Sequence, residues 1–325
     1  MDTDLLFQIS TTEKFTEKAL KTFRFQFENN PIYNTFCNHL DRNPRNVHSL
    51  QQIPYLPVEF FKSHKVVCGD FVPEIIFTSS GTTGAQTSKH EVHRLALYKK
   101  SFELGFHHFY GPTSDYCILA LLPSYLEREG SSLIYMVSQL ITSSKHPKSG
   151  FYLNDLNALK DTLLQLEATQ TKTLLIGVSF ALLDLAEQYP VALKNTIVME
   201  TGGMKGRRKE LIREALHHPL KKAFGVPRIH SEYGMTELLS QAYSKGNGIF
   251  YTPPWMNVFI RDTEDPLSFI AEGKTGGLNI IDLANYYSCS FIATQDLGKL
   301  HPDGSFEVLG RFDHSDIRGC NLMVL

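Results

Sequence analysis

The run Phe77-Thr78-Ser79-Ser80-Gly81-Thr82-Thr83-Gly84 follows directly on Pro73-Glu74-Ile75-Ile76. An apolar strand signal therefore opens into a stretch of hydroxyls and glycines. The hydroxyls can rotate to donate to an anion, while Gly81 and Gly84 let the backbone turn successive N–H groups toward phosphate oxygens. Such a loop grips a polyphosphate without fixing what is done to it, and a Ser/Thr/Gly surface turn has the same composition. Rival phosphate loops do not fit. Gly84 is followed by Ala85-Gln86-Thr87-Ser88-Lys89, which breaks the G-x-x-x-x-G-K-[ST] pattern, and no G-x-G-x-x-G is present.

Other chemistry-bearing residues are scattered. His90-Glu91-Val92-His93 lacks the spacing of H-E-x-x-H, so its histidines read as surface or packing residues. The five cysteines, Cys37, Cys68, Cys117, Cys289 and Cys320, form no C-x-x-C pair, which argues against a disulfide framework and a thiolate zinc site.

The elements that must position these residues change character along the chain. Residues 1–72 read as a helical lead-in, broken by Asn29-Asn30-Pro31 and Asp41-Arg42-Asn43-Pro44 and closed by the proline-bounded Ile53-Pro54-Tyr55-Leu56-Pro57. Over 73–227 strand and helix patterns alternate: strands over 74–80, 115–122, 172–178 and 195–200, helices over 91–109, 131–142, 155–168, 180–189 and 208–223. This predicts an α/β fold with a doubly wound sheet. From 228 to 325 short β runs at hairpin spacing predict a smaller β-rich subdomain, with Asp303-Gly304 as a turn.

Composition is that of a globular protein, 42% hydrophobic and 20% charged over 325 residues. Lys plus Arg at 32 against Asp plus Glu at 34 gives a net charge of −2, so bulk charge makes no case for nucleic acid or an anionic membrane. The acidic start Met1-Asp2-Thr3-Asp4 lacks the features of a signal peptide, and no apolar run reaches membrane-spanning length; a cytoplasmic location is expected.

Four later clusters follow the phosphate-loop candidate: Thr201-Gly202-Gly203, Glu232-Tyr233-Gly234-Met235-Thr236-Glu237, Thr294-Gln295-Asp296-Leu297-Gly298 and Gly310-Arg311-Phe312-Asp313. In this order and at these separations they resemble the core motifs of the adenylate-forming enzymes, which include acyl-CoA synthetases, peptide-synthetase adenylation domains and firefly-type luciferases. Ile53-Pro54-Tyr55-Leu56-Pro57-Val58-Glu59-Phe60-Phe61-Lys62 and the closing run from Gly310 to Leu322 look like the acyl-protein synthetases of bacterial bioluminescence (LuxE type).

The resemblance implies a set of roles. Ser79, Ser80, Gly81, Thr82, Thr83 and Gly84 would hold the β- and γ-phosphates of ATP, Thr236 would contact the α-phosphate, and Glu237 would take Mg²⁺. Gly202 and Gly203 would let adenine lie against the backbone with Tyr233 stacked on it, and Asp296 and Arg311 would hold the ribose. The substrate would be a carboxylic acid, most simply a fatty acid. A carboxylate and a phosphate repel, so the chemistry needs charge neutralised and the two groups aligned.

The chain departs from the pattern in two places. It ends at Leu325, where the larger families continue into a mobile domain carrying a lysine; Lys89 is the candidate to supply that charge. Gln295 stands where the family has glycine. Cys320, near the terminus, matches the position of the acyl-carrying cysteine of the LuxE type, and neighbouring Arg318 would favour its thiolate. Three readings stay open: acyl transfer through Cys320 to a partner or carrier protein, a ligase using coenzyme A directly, or a nucleotide-binding scaffold without turnover.

Overall fold

The computed structural model describes residues 3–79, 86–122, 130–153, 155–202 and 211–312. Its strands are β1 (Leu56–Pro57), β2 (Ile75–Thr78), β3 (Lys89–Val92), β4 (Cys117–Leu121), β5 (Gly150–Phe151), β6 (Thr173–Val178) and β7 (Thr196–Thr201), followed by β8 (His230–Tyr233), β9 (Ala242–Ser244), β10 (Ile249–Tyr251), β11 (Met256–Arg261), β12 (Thr275–Asp282), β13 (Phe291–Leu300) and β14 (Phe306–Arg311). The helices are α1 (Thr12–Asn29), α2 (Pro31–His39), α3 (Phe60–Ser63), α4 (Leu95–Tyr110), α5 (Ser132–Ser144), α6 (Leu156–Ala168), α7 (Ser179–Gln188) and α8 (Arg213–Phe224).

Twelve of these strands form one sheet, in the order β11-β12-β13-β14-β10-β9-β8-β7-β6-β4-β5 with β1 added to β13. From β5 to β8 every pairing is parallel. β4 and β6 are buried throughout, as strands covered by helices on both faces must be. From β8 onward pairing turns antiparallel. The sheet is thus continuous across residue 228, and the change from parallel to antiparallel comes one strand later, between β8 and β9.

The expected α/β architecture is present, with corrections in detail. The helix expected over 91–109 begins only at Leu95, because Lys89–Val92 pairs antiparallel with Ile75–Thr78 as a hairpin. Lys89 is a strand residue opposite Thr78. β8 and β9 were not anticipated either. The lead-in is bound to the far end of the chain: Leu56 pairs with Ile292 and Pro57 with Ala293 in parallel, and the Val58 amide donates to the Ala293 carbonyl at 3.0 Å. Buried Gln26 on α1 donates to the Asn285 and Tyr286 carbonyls at 2.9 and 3.0 Å and accepts from the Ser290 amide at 2.9 Å. No described helix is long and apolar enough to cross a membrane.

Candidate functional site

The C-terminal ends of β7 and β8, the turn after β8, the β2–β3 hairpin and the β13–β14 ladder converge. Parallel strands place their carboxyl ends on one edge of the sheet, which is where ligands bind in open α/β folds.

The phosphate-loop candidate is the loop of the β2–β3 hairpin. Its stem is closed by the Ser79 amide on the Ser88 carbonyl at 3.1 Å and the Ser88 amide on Ser79 Oγ at 2.9 Å. The Thr78 amide donates to the Gly130 carbonyl at 2.8 Å. Gly130 has φ +82°, and a Cβ there would meet Thr78 Oγ1 at 3.0 Å and the Ile76 carbonyl at 3.1 Å, so only glycine lets the stem sit so close. Ser80, Gly81, Thr82, Thr83 and Gly84 lie outside the described residues, as do Gly203 and Cys320.

Tyr233, Asp296 and Arg311, widely separated in sequence, meet. The Tyr233 hydroxyl donates to Asp296 Oδ2 at 2.7 Å, and Arg311 Nε donates to Asp296 Oδ1 at 3.2 Å. Asp296 and Arg311 are direct partners across the β13–β14 ladder, so register sets this ion pair. The Asp296 side chain is 8% exposed and that of Arg311 is 78% exposed, so the guanidinium covers the carboxylate from the solvent side. The Tyr233 ring meets Phe250 and Phe306 at 6.0 and 5.9 Å. Burial, and then the Asp296 charge, push its hydroxyl well above the usual phenol range, so it stays a donor.

Thr236 and Glu237 sit in the turn after β8, and the hairpin holds them. His90 Nδ1 is 2.9 Å from the Thr236 carbonyl, and the Ser88 side chain acts on the Glu237 carboxyl. The Glu237 carbonyl accepts from Asn285 Nδ2 at 2.7 Å. Burial raises the Glu237 carboxyl, with the Ser88 hydroxyl acting against it. Below the turn, fully buried Asp282 accepts from the amides of Leu239 and Ser240, both at 2.8 Å, the Ser240 hydroxyl at 2.6 Å and the Ala284 amide at 3.0 Å. Burial pushes its carboxyl up to about 6 despite these four donors.

Gly202, at φ +66°, turns the chain at the end of β7, and its carbonyl accepts from Ser179 Oγ at 2.9 Å. Two buried acids flank this turn. Glu200 accepts from Arg213 Nη1 at 2.7 Å and has His217 Nε2 at 3.6 Å. Burial works to raise its carboxyl, but His217 and Arg213 outweigh that and leave it below the usual range. Glu232 Oε2 accepts from the Thr201 hydroxyl. Burial, with the Glu200 charge adding to it, pushes Glu232 up to about 7.

Gln295 stands within β13 where its register against β12 shifts, and it donates to Glu59 Oε1 at 2.5 Å, tying the lead-in to the ribose-side ladder. Sequence reasoning missed His90, Ser88, Asp282, Glu200, Arg213 and Glu232 as parts of the site. For Glu200 and Asp282 a signal existed: each is a lone acid closing an apolar strand, Ile197-Val198-Met199 and Leu278-Asn279-Ile280-Ile281.

No protein-family model and no curated protein sequence matches the chain significantly. Solved structures do. An open conformation of 2-hydroxyisobutyryl-CoA ligase in complex with 2-HIB-AMP and CoA superposes with TM-score 0.68 at 12% identity, covering 93% of this chain and 70% of that one. The same ligase in the postadenylation state with R3-HIB-AMP gives 0.63 at 12% identity, covering 93% and 68%. ATP-bound MatB from Rhodopseudomonas palustris gives 0.55 at 16% identity, covering 74% and 49%. The fold is the adenylate-forming ligase fold. The chain spans about half the length of the MatB structure it matches.

Proposed function

We propose that the chain activates a carboxylic acid with ATP, forming an acyl-adenylate and pyrophosphate, and passes the acyl group to a thiol. The observation that carries this reading is the joining of Tyr233, Asp296 and Arg311 into one cluster, with Thr236 and Glu237 anchored to the hairpin that bears the phosphate-loop sequence.

The roles follow from the chemistry of the groups. Asp296 keeps lone pairs beyond those used by Tyr233 and Arg311, enough to accept from ribose hydroxyls. The Tyr233 ring, braced by Phe250 and Phe306, offers a face for adenine, with the turn at Gly202 ending β7. The hydroxyls of Ser79 to Thr83 and the Thr236 segment receive the phosphates. Glu237 is a hard oxygen donor and fits a magnesium ion carried on those phosphates. No trio of His, Cys, Asp or Glu among the described residues could hold a metal unaided. Magnesium there would supply neutralisation of phosphate charge. The carboxylate oxygen bonds the α-phosphorus as the α–β bridging bond breaks and pyrophosphate leaves. In the second step a thiolate bonds the acyl carbon, the acyl–phosphate bond breaks, and AMP departs. Lys89 is our candidate for added positive charge.

For the acceptor we favour Cys320, with onward transfer to a partner or carrier protein. The described cysteines Cys37, Cys68, Cys117 and Cys289 are all buried, and burial raises each thiol, to about 12 for Cys37 and Cys68, which disfavours the nucleophilic thiolate. The second reading, coenzyme A as direct acceptor, draws support from the CoA-bound ligase of the same fold.

ATP–pyrophosphate exchange over acids from acetate through long-chain fatty acids to aryl acids tests the first step, with Asp296→Ala as control. Exchange stimulated by one class and lost in the variant is the expected result. ATP binding without exchange for any acid would make the chain a nucleotide-binding scaffold. Acylation that persists in Cys320→Ala would remove Cys320 from the route.

A further inference from the structure

Beside the hairpin lies a cleft of about 470 Å³, walled by Lys62, Ser63, His64 and Lys65 on one side and by Gln86, Thr87, Lys89 and Glu91 on the other. Its walls are locked together: Gln86 Nε2 donates to the Lys62 carbonyl at 2.6 Å, fixing α3 against the strand that leaves the loop. Three lysines face one carboxylate. That carboxylate, Glu91, is already paired with Lys65 at 3.0 Å. Lys62 and Lys89 are exposed, and among the described residues neither is in an ion pair. The volume is many times the roughly 30 Å³ that one water occupies in the liquid.

Two ammonium groups on opposed walls, with no ion pair among the described residues, suit an anion with two charged ends. Lysine is a point-charge donor that adapts to phosphate oxygens without the fixed fork of arginine. The Lys62 charge also reaches Glu237, where it works against the burial that raises that carboxyl. Both side chains are exposed, where such charges contribute little to stability.

We propose that the α3–β3 cleft is a second anion site, adjoining the nucleotide loop and sharing Lys89 with it, that takes a diphosphate group. Within the activation reading on which this rests, two species carry that chemistry: the pyrophosphate that leaves ATP, and the diphosphate of a nucleotide thiol such as coenzyme A.

Titration calorimetry on the full chain tests it, with a non-hydrolysable ATP analogue filling the nucleotide site and inorganic pyrophosphate or coenzyme A as the probe. We expect one of the two to bind, more weakly as salt rises, and to lose at least about tenfold in affinity in Lys62→Met/Lys89→Met. Both positions are exposed, so the variant should melt close to the parent. Loss confined to pyrophosphate assigns the cleft to the leaving group, and loss confined to coenzyme A assigns it to the acceptor. Absence of binding by both probes, or equal binding to parent and variant, overturns the proposal. Failure of the activation reading is distinguishable, because it appears as absent exchange for every acid while lysine-dependent anion binding persists.

Discussion

His90 Nδ1 lies 2.9 Å from the carbonyl oxygen of Thr236, and its Nε2 lies 2.9 Å from Ser288 Oγ. A carbonyl only accepts, so Nδ1 carries the proton and Nε2 accepts from the serine hydroxyl. Burial holds the ring neutral by lowering its pKa to about 4. One imidazole therefore links the hairpin of the phosphate-loop candidate to the turn carrying Thr236 and Glu237.

Replacing His90 should separate position from stability. His90→Asn keeps a donor near Nδ1 and is expected to retain most exchange activity. His90→Gln places its amide toward Ser288 and should lose roughly 10- to 100-fold in kcat, matching the ~1–3 kcal/mol cost of a buried group left unpaired. Equal losses in the two variants, tracking their melting temperatures, would reduce His90 to a packing residue.

Tyr233 and Asp296 should be coupled. Tyr233→Phe removes the 2.7 Å hydrogen bond and Asp296→Asn removes the charge. A double-mutant cycle on ATP affinity should give a coupling energy of about 0.5–3 kcal/mol, as groups sharing a hydrogen bond do. Additive effects would show that each residue meets the nucleotide independently.

Glu232 should leave a mark on stability against pH. Its pKa rises from 4.5 to about 7 on folding, so between those values the folded chain holds a proton that the unfolded chain has released. Stability therefore falls as pH climbs through that window, by up to about 3 kcal/mol. His90 and His230 act in the opposite sense: both drop from 6.5 to about 4, so the unfolded chain takes up protons as pH falls through that range, and stability falls with it. Glu232→Gln removes only the first effect. Its melting temperature should gain on the parent from pH 5 to pH 7 and level off by pH 8, and a constant offset would mean that Glu232 ionises normally in the fold.

Asp282→Ala leaves the amides of Leu239, Ser240 and Ala284 without their acceptor. Denaturant unfolding should show a loss of about 2–4 kcal/mol, and Asp282→Asn, which preserves one acceptor oxygen, a smaller one. A loss below about 1 kcal/mol in the alanine variant would show that water replaces the carboxylate.

Strands with an apolar rhythm were legible in the sequence: β11 is one of the short β runs expected after residue 228, and the alternation that leads through β4, β6 and β7 is present. β8 was not, because His230-Ser231-Glu232-Tyr233 is polar at every position. Ser231 and Glu232 are nonetheless buried, since Arg213 and Thr201 satisfy them from other elements. β3 failed for a related reason: Lys89-His90-Glu91-Val92 is short and charged and reads as a helix start until β2 is seen opposite it. The same logic divides the site. Tyr233, Thr236, Glu237, Asp296 and Arg311 stand in recognisable runs, whereas His90, Asp282 and Asn285 work through partners far along the chain, which no local spacing encodes.

The pairing of β1 with β13 has a consequence for synthesis. Glu59 and Gln295 are 236 residues apart, so the first helices leave the ribosome long before their docking strand exists. At translation rates of about 5–20 residues per second that interval is roughly 10–50 s. For that time the apolar faces of α1 and α2, which end up against Phe291 and Tyr286, have no native cover. The nascent chain is thus a natural client for holding chaperones, and its yield should depend on them more than the stability of the finished fold would suggest.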